Sequence, residues 1–173
     1  MLHSTYAHKY TNEDPKTSSV FENLMLLPDN VFWHILKVSC FYNERMLVNS
    51  GRLLSYEFWA HWDNTGTDNN TYVEPDLFIR FEEFDVIIEA KYRDYGGQYL
   101  KQWIQELTAY DNEYGKEEKP VIFIAVGGNM SMDIEEIKVR GRKHLIFKCN
   151  WLSLLIATNK YRGELKKISV PDM

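Results

Sequence analysis

A run of seven apolar residues at positions 120–126 (PVIFIAV) constrains the fold more than any other feature of the sequence. A segment this short, followed at once by Gly127 and Gly128, is typical of a strand rather than a helix. Because no polar residue alternates with the apolar ones, the strand must be buried on both of its faces. Strands of that kind occur in sheets that carry helices on both sides, so the run predicts an α/β fold.

The rest of the chain supplies elements that fit such a sheet. Apolar residues recur at helical spacing in some segments, while other segments are short and rich in aromatic or β-branched residues. The predicted order is α, β-β-β, α, β, α, β, α, a mixed sheet flanked by helices. The first helix is predicted from Ser19 to 27, with a second helix or a kinked continuation of the first over residues 31–40. The later helices are predicted over residues 98–114, 132–139 and 151–159, and the strands over residues 53–62, 76–81, 84–91, 120–126 and 144–148.

The chain has 173 residues, which suits a single domain, predicted over residues 1–173. No apolar run approaches the roughly 20 residues that cross a bilayer, so no membrane partner is predicted. The first 14 residues lack the apolar stretch of a signal peptide. The chain has two cysteines, Cys40 and Cys149, and this composition is typical of a cytoplasmic protein with reduced thiols.

Two charged side chains, Glu89 and Lys91, follow the apolar residues Val86, Ile87 and Ile88 at the end of a predicted strand. Because side chains alternate along a strand, these two share one face, roughly 7 Å apart. Asp76 stands thirteen residues before Glu89, at the start of the preceding strand. Glu82 and Glu83 lie between the two strands and predict a hairpin turn, which would fold Asp76 back beside Glu89 and Lys91.

Two carboxylates and one ammonium group at the end of a sheet suit the hydrolysis of a phosphodiester. That reaction needs a cation to neutralise developing charge and to acidify a water molecule. Mg²⁺ prefers oxygen ligands and is typically held by one or two carboxylates. Asp76, Glu89 and the main-chain carbonyl of Ala90 are therefore candidate ligands for Mg²⁺ or Mn²⁺. Lys91 can orient or deprotonate the attacking water, or stabilise the charged phosphorus centre.

The pattern Pro75-Asp76…Glu89-Ala90-Lys91 resembles the signature of the PD-(D/E)XK nuclease superfamily, which has the restriction-endonuclease-like fold. The α-β-β-β-α-β core of that superfamily is similar to the predicted order over residues 18–128, and residues 129–173 form a C-terminal α/β extension outside the resemblance. The resemblance implies that Asp76 and Glu89 bind the metal and that Lys91 acts in catalysis. It also implies a Mg²⁺-dependent endonuclease or exonuclease, with DNA favoured over RNA, in restriction, repair, recombination or defence against mobile DNA.

Two further candidates come from the helices on either side of the motif. Many members of that superfamily carry an acid in the first helix, and here Glu22 is the acid inside the first predicted helix. Glu22 also fits a capping box that begins at Ser19, and the two interpretations need not exclude each other. Some members place a glutamine near the metal from the helix after the motif. Gln98, Gln102 and Gln105 line one face of that helix, and Gln102, in the middle, is the candidate.

Positive charge is concentrated at the end of the chain. Residues 138–173 contain nine lysines and arginines against two acids, a charge of +7 that leaves −12 on the rest of a chain whose total is −5. A basic segment beside an acidic one is the pattern expected of a nuclease that meets phosphates, although a solvated basic face gives the same count. Arg140, Arg142 and Lys143 form the densest run and are the predicted nucleic-acid contacts. A chain this short leaves little room for a separate recognition domain, so a homodimer or a partner in a larger complex is also expected.

Other classes of function fit the sequence less well. The sequence lacks the G-x-x-x-x-G-K-[ST] motif of a P-loop ATPase, and its histidines lack the spacing of a zinc site. The alternative to a nuclease is a catalytically silent module of the same fold that binds nucleic acid or a partner protein without cleavage. The intact set of Asp76, Glu89 and Lys91 favours the enzyme.

Overall fold

A computed structural model describes residues 13–168 of the chain. This described part contains four α-helices and six β-strands in the order α-α-β-β-β-α-β-β-β-α. The helices are α1 (Glu13–Leu24), α2 (Asp29–Ser39), α3 (Leu100–Tyr114) and α4 (Trp151–Ile168). The strands are β1 (Leu53–Phe58), β2 (Leu77–Phe81), β3 (Asp85–Ala90), β4 (Val121–Val126), β5 (Glu135–Val139) and β6 (Arg142–Cys149).

The six strands of the described range form one mixed sheet in the order β1-β2-β3-β4-β6-β5. Strands β1, β2 and β3 are antiparallel neighbours, as are β5 and β6, whereas β4 runs parallel to both β3 and β6. The parallel register pairs Asp85 with Val121 and Ala90 with Val126, so the C-terminal ends of β3 and β4 lie together. The predicted α/β class, with a mixed sheet flanked by helices, is confirmed.

Helices cover both faces of this sheet, as the apolar central strands require. Residues of α1, α2 and α4 pack on one face, in a core that includes Ile88 and Ala90 of β3. Residues of α3 pack on the other face, in a second core that includes Ile87 of β3 and Phe123 of β4. Because side chains alternate along a strand, Glu89 projects to the α3 face. The side chain of Glu89, at the end of β3, therefore faces α3.

The predicted helix over residues 132–139 is wrong, because Glu135–Val139 forms strand β5, antiparallel to β6. Ile137 and Val139 are buried while Glu136 and Lys138 are exposed, which is the two-residue period of a strand. The segment is short enough for its apolar residues to fit a helical spacing as well. Its pairing with β6 therefore decides its structure.

Other boundaries also differ from the predictions. Helix α1 begins at Glu13, so Ser19 lies in the helix interior and cannot cap its first turn. The capping-box interpretation of Glu22 is therefore wrong. Strand β1 ends at Phe58 because Trp59 has a φ of 54°, a left-handed conformation that does not continue a strand.

Helix α4 continues to Ile168, well past its predicted end at residue 159. None of the helices between Glu13 and Ile168 combines the length and the apolar character needed to span a bilayer. Cys40 and Cys149 are free thiols, and both are buried.

Candidate active site

Asp76 lies immediately before β2 and reaches across to the end of β3. The antiparallel register pairs Leu77 with Ile88, so the Asp76 side chain meets the residues that follow Ile88. Its Oδ2 accepts a hydrogen bond from the main-chain amide of Ala90 at 2.7 Å. Because the amide and the carbonyl of one residue point to the same edge of a strand, the Ala90 carbonyl oxygen also faces the Asp76 side. The predicted hairpin is confirmed, and it brings Asp76 beside the Glu89 end of β3.

Glu89 and Lys91 form an ion pair between Oε1 and Nζ on the α3 face of β3. Glu89 is 2% exposed, and the side chain of Lys91 is 19% exposed. A carboxylate buried to this degree carries a large desolvation cost unless a cation compensates it. In the metal-free protein, the ammonium group of Lys91 compensates the charge of Glu89. The main chain of Glu89 is also bound, because Gln98 Nε2 donates a hydrogen bond to the Glu89 carbonyl oxygen at 3.0 Å.

The aliphatic part of Lys91 lies against two glycines, Gly97 and Gly128, whose φ angles are 105° and 65°. A Cβ added at Gly128 would come within 2.7 Å of the Lys91 Cβ and Cγ, and one at Gly97 within 3.3 Å of its Cδ. The main chain of Lys91 is held as well, because Trp151 Nε1 donates to its carbonyl oxygen at 2.6 Å. These contacts fix the direction in which Lys91 extends toward Glu89.

A third carboxyl group, that of Glu106 on α3, lies close to this pair and was not predicted from the sequence. Glu106 is 1% exposed, and within the described residues no amide, ammonium or hydroxyl group donates a hydrogen bond to its carboxyl oxygens. Burial raises the pKa of the Glu106 carboxyl well above its ordinary value. Glu89 raises it further, through its charge and through a hydrogen bond between the two carboxyl groups, and so does the charge of Asp76, while Lys91 opposes them. In the absence of a cation, burial and the neighbouring acids therefore favour the neutral form of Glu106.

A signal for Glu106 was present in the sequence. Trp103, Leu107 and Tyr110 recur at helical spacing, and Glu106 falls within this stripe. The structure buries all four side chains against the sheet. An acid on the apolar stripe of a helix needs either a partner or a function, because a buried carboxyl without one is costly.

The first-helix candidate, Glu22, is buried on α1 with 6% of its surface exposed. Helix α1 reaches the end of β3 through Lys16, whose Nζ donates to the Tyr92 carbonyl oxygen at 2.7 Å. Lys16 also lies over the ring of Trp151, at 4.2 Å from the ring centroid. Glu22 therefore lies on a helix that borders the site.

The glutamines near the start of α3 occupy different positions. Besides its contact with β3, Gln98 accepts a hydrogen bond from Trp103 Nε1 at 2.7 Å. Gln102 is half-buried and lines a surface depression together with Asp68 and Asn69. The glutamine in contact with Glu89 is thus Gln98, whereas Gln102 faces the neighbouring depression.

The predicted basic contacts Arg140, Arg142 and Lys143 lie at the other end of the sheet from Glu89. Arg140 and Arg142 both contact Asp111 on α3, at 3.0 and 3.2 Å, and Lys143 contacts an acid of β5 at 2.8 Å. Through Ala125 of β4, Glu89 is level with Lys148 of β6. Arg142 precedes Lys148 by six residues, which is roughly 20 Å along the strand. Arg140 and Arg142 share the α3 side of the sheet with the acids, whereas Lys143 projects from the opposite face of β6, the face of Leu145 and Phe147. None of the three joins the cluster of acids.

The chain was also compared with known proteins. No family model matches it. It is similar to an uncharacterized protein of Pasteurella multocida (strain Pm70). The two sequences are 31% identical over 139 residues, which cover 78% of this chain and 50% of the relative. The chain therefore spans about half the length of the curated relative that it matches.

Exposed aromatic side chains follow Lys91 along the loop that leads to α3. Tyr92, Tyr95 and Tyr99 are 49%, 74% and 65% exposed, and Met130, on the loop after β4, is 83% exposed. Large apolar surfaces so close to charged groups are typical of a surface that binds another molecule. Bases of a nucleic acid can stack on aromatic rings in this way.

Within residues 13–168, no three acidic, histidine or cysteine side chains are close enough to enclose a metal ion. Asp76, Glu89 and Glu106 are neighbours whose charges act on one another, but they do not form a closed set of ligands. Their oxygens are hard donors of the kind that Mg²⁺ and Mn²⁺ prefer. The site thus offers carboxylate oxygens and one ammonium group at the ends of β2 and β3.

Proposed function

We propose that this chain is a metal-dependent nuclease of the PD-(D/E)XK superfamily that hydrolyses phosphodiester bonds in DNA. The observation that carries the proposal is the convergence of Asp76, Glu89 and Lys91 where β2 begins and β3 ends. The order of α2, β1, β2, β3, α3 and β4 is compatible with a restriction-endonuclease-like core. In this view β5, β6 and α4 are its C-terminal extension, and residues 1–173 make one domain.

Mg²⁺ or Mn²⁺ is the proposed cofactor, held by Asp76, Glu89 and the carbonyl oxygen of Ala90. The donor set fits such a cation because all of these ligands are hard oxygen atoms. When bound, the cation would neutralise the charge that develops on the phosphate and acidify a water molecule.

Lys91 would serve two purposes in turn. In the protein alone it compensates Glu89, as the ion pair indicates. With a cation beside Glu89, the ammonium group is no longer required for that and can donate hydrogen bonds to the scissile phosphate or to the attacking water. Glu22 remains the candidate for a further acid from α1, and Gln102 remains the candidate for the glutamine near the metal.

The substrate would lie across the α3 side of the sheet. Tyr95 and Tyr99 would meet bases near the site, and Arg140 and Arg142 would meet phosphates about 20 Å away, roughly six base pairs along a duplex, whereas Lys143 projects from the other face of β6 and remains a candidate phosphate contact at the hairpin. We also propose a cytoplasmic location, because a protein with free thiols suits a reducing compartment. We also propose that a homodimer or a larger complex supplies further recognition surface.

One experiment with three variants tests the enzymatic function. The purified protein is incubated with duplex, single-stranded and branched DNA and with RNA, in Mg²⁺ or Mn²⁺, and Mn²⁺ binding is measured by calorimetry. We expect cleavage of DNA by the wild type and loss of both cleavage and tight Mn²⁺ binding in Asp76→Asn. Lys91→Met keeps the aliphatic stem against Gly128, so it should bind Mn²⁺ and yet cleave about 100-fold more slowly or less.

Glu83→Gln is the matched control, because Glu83 is an exposed acid in the β2–β3 turn at the far end of the same strands. It should leave cleavage and Mn²⁺ binding unchanged. Retention of cleavage by Lys91→Met would contradict the assignment of Lys91. Binding of nucleic acid without cleavage of any substrate would instead support the alternative, a silent binding module of the same fold.

A further inference from the structure

Lys148 is a buried lysine on β6 that the proposed catalytic motif does not use. It is 3% exposed, and through Ala125 of β4 it is level with Glu89 of β3. Neighbouring strands are about 4.8 Å apart, so the main chains of Lys148 and Glu89 are roughly 10 Å apart. Lys148 also projects to the α3 face, because its Nζ lies 5.7 Å from the centre of the Trp103 ring. A second buried lysine therefore lies beside the candidate active site.

The ion pair of Lys148 joins two unequally buried groups. Its Nζ donates to Ser131 Oγ at 3.3 Å and pairs with Glu135 at 3.0 Å. The Glu135 side chain is 46% exposed, so water can solvate that carboxylate, whereas the buried ammonium group cannot be solvated in this way. An apolar residue such as Ile146, on the same face of β6, would fill this position without burying a charge. An anionic ligand that takes the place of Glu135 explains why a lysine is buried here.

A surface depression of about 220 Å³ gives access to Lys148. Lys148 and Gln98 line it, and so do two exposed apolar side chains, those of Leu100 and Met130. The volume is below the roughly 300–1,000 Å³ of sites for drug-sized ligands, so the depression suits one phosphate group and part of a base or sugar. An ammonium group beside exposed apolar side chains matches the two parts of a nucleotide, its phosphate and its base.

Two residues connect this depression with the candidate active site. Gln98 lines it and also donates to the Glu89 carbonyl oxygen. Asn129 lines it as well and directly follows Gly128, the residue that packs against Lys91. Helix α3 begins at the depression, and its first turn, residues 100–103, contains no acid, so the helix dipole adds positive potential there. A nucleotide bound in the depression would therefore lie beside the scissile phosphate.

We propose that this depression binds the nucleotide next to the scissile bond, with Lys148 on its phosphate and with Leu100 and Met130 against its base or sugar. The assignment of that nucleotide to a nucleic-acid substrate rests on the proposed nuclease function. When the phosphate binds, Glu135 would leave Lys148 and turn to water. A purely structural Lys148 predicts a different result, since its ion pair with Glu135 would persist and no nucleotide would bind.

The test measures binding in EDTA, so that the result does not depend on a metal. Thymidine 5′-monophosphate and thymidine are titrated by NMR, and a labelled single-stranded oligodeoxynucleotide by fluorescence anisotropy. We expect Lys148→Met to weaken binding of the monophosphate and of the oligonucleotide by about tenfold or more, because a charge-assisted hydrogen bond is lost. Thymidine, which lacks the phosphate, should bind equally weakly to both proteins. Lys148→Arg keeps the charge and should bind both phosphate ligands more tightly than Lys148→Met.

Lys101→Met is the matched control, because Lys101 is an exposed lysine of α3 whose ion pair with Asp68 is also exposed. It should bind each ligand as the wild type does. Wild-type affinity of Lys148→Met for both phosphate ligands would overturn the inference and leave the proposed nuclease intact. Dependence on Lys148 for the monophosphate alone would also overturn it, since the depression would then serve a free nucleotide. Dependence for both ligands, in a protein that cleaves no nucleic acid, would support the site and contradict the nuclease.

The wild type offers a second measurement in case Lys148→Met does not fold. Thymidine 5′-monophosphate should shift the ¹³C-methyl NMR resonance of Met130, which is exposed at the depression. The resonance of Met46, buried in the core on the other face of the sheet, should not move. A Met130 resonance that stays in place at saturating thymidine monophosphate would contradict the proposal.

Discussion

At the scale of single residues, the direction of Lys91 depends on the absence of a side chain at Gly128. An alanine at this position must adopt a φ near 65°, and its Cβ would lie 2.7 Å from the Lys91 side chain. We expect Gly128→Ala to lower the free energy of unfolding by more than the roughly 1 kcal/mol of backbone strain alone. Displacement of Lys91 should also slow cleavage about tenfold or more, which a nuclease assay measures.

Gly96→Ala provides the matched control for this prediction. Gly96 has a φ of 75°, but a Cβ there would meet no atom within 4 Å. The control carries the backbone strain without the clash, so it should lose some stability and keep its rate of cleavage. Equal rates in the two variants would show that Lys91 does not need the space at Gly128.

A second feature at the scale of single residues is the ion pair of Glu89 and Lys91, whose charges both act on the buried carboxyl of Glu106. Lys91 can compensate one buried carboxylate, and Glu89 already takes that position. The pKa of Glu106 is therefore raised, and its carboxyl group is hydrogen-bonded to that of Glu89.

At the scale of elements, the β5–β6 hairpin carries the basic residues that the sequence singled out. Its turn is formed by Arg140 and Gly141, both with positive φ, and β6 begins at Arg142. Arg140 and Arg142 contact Asp111, so the hairpin is fastened to α3 by ion pairs. A bound phosphate would have to compete with that carboxylate for the two guanidinium groups.

We expect the double variant Arg140→Ala, Arg142→Ala to bind DNA more weakly and to a similar extent on all sequences, because phosphate contacts carry no sequence information. The slope of log K against log salt should flatten by about two units, one for each phosphate that the variant no longer neutralises. A titration of labelled duplex at several salt concentrations measures both quantities.

The control for this prediction removes two positive charges elsewhere. Lys37 lies on α2 and Lys160 on α4, both on the opposite side of the sheet from α3. The double variant Lys37→Ala, Lys160→Ala should leave the slope near its wild-type value. A similar change of slope in both double variants would mean that the hairpin is a solvated basic face and that net charge alone governs binding.

At the scale of the whole molecule, the acids at the end of the sheet link metal binding to stability. Neighbouring carboxylates repel one another in the metal-free protein, and a cation that binds only the folded state stabilises it. At a concentration of one hundred times Kd the gain is about 2.7 kcal/mol, which for a domain of this size corresponds to roughly 5–10 °C in Tm. We therefore expect millimolar Mg²⁺ or Mn²⁺ to raise the Tm in differential scanning calorimetry.

Asp76→Asn tests whether the rise comes from this site. The variant lacks one proposed ligand, so its Tm should respond to the cation much less than that of the wild type. Na⁺ at equal ionic strength separates specific binding from general screening. A wild-type Tm that does not change at a concentration supporting cleavage would contradict the link.

The sequence by itself determined the elements whose signals are local. The apolar run of β4 and the two strands joined at Glu82 and Glu83 are encoded by residues next to one another, and the structure contains them as predicted. The hairpin also fixes which residues meet, because its register follows from the short turn. The proximity of Asp76 to Ala90 and Glu89 could therefore be inferred from the sequence.

Tertiary structure alone decided the features that depend on distant contacts. Strand β5 is a strand because β6 pairs with it, while its few apolar residues fit either period. Glu106 reaches the site because α3 packs on the face of β3 that carries Glu89, and Gln98 rather than Gln102 contacts that residue for the same reason. Local patterns specify how one element is built, but the side chains that meet across two elements depend on how those elements pack.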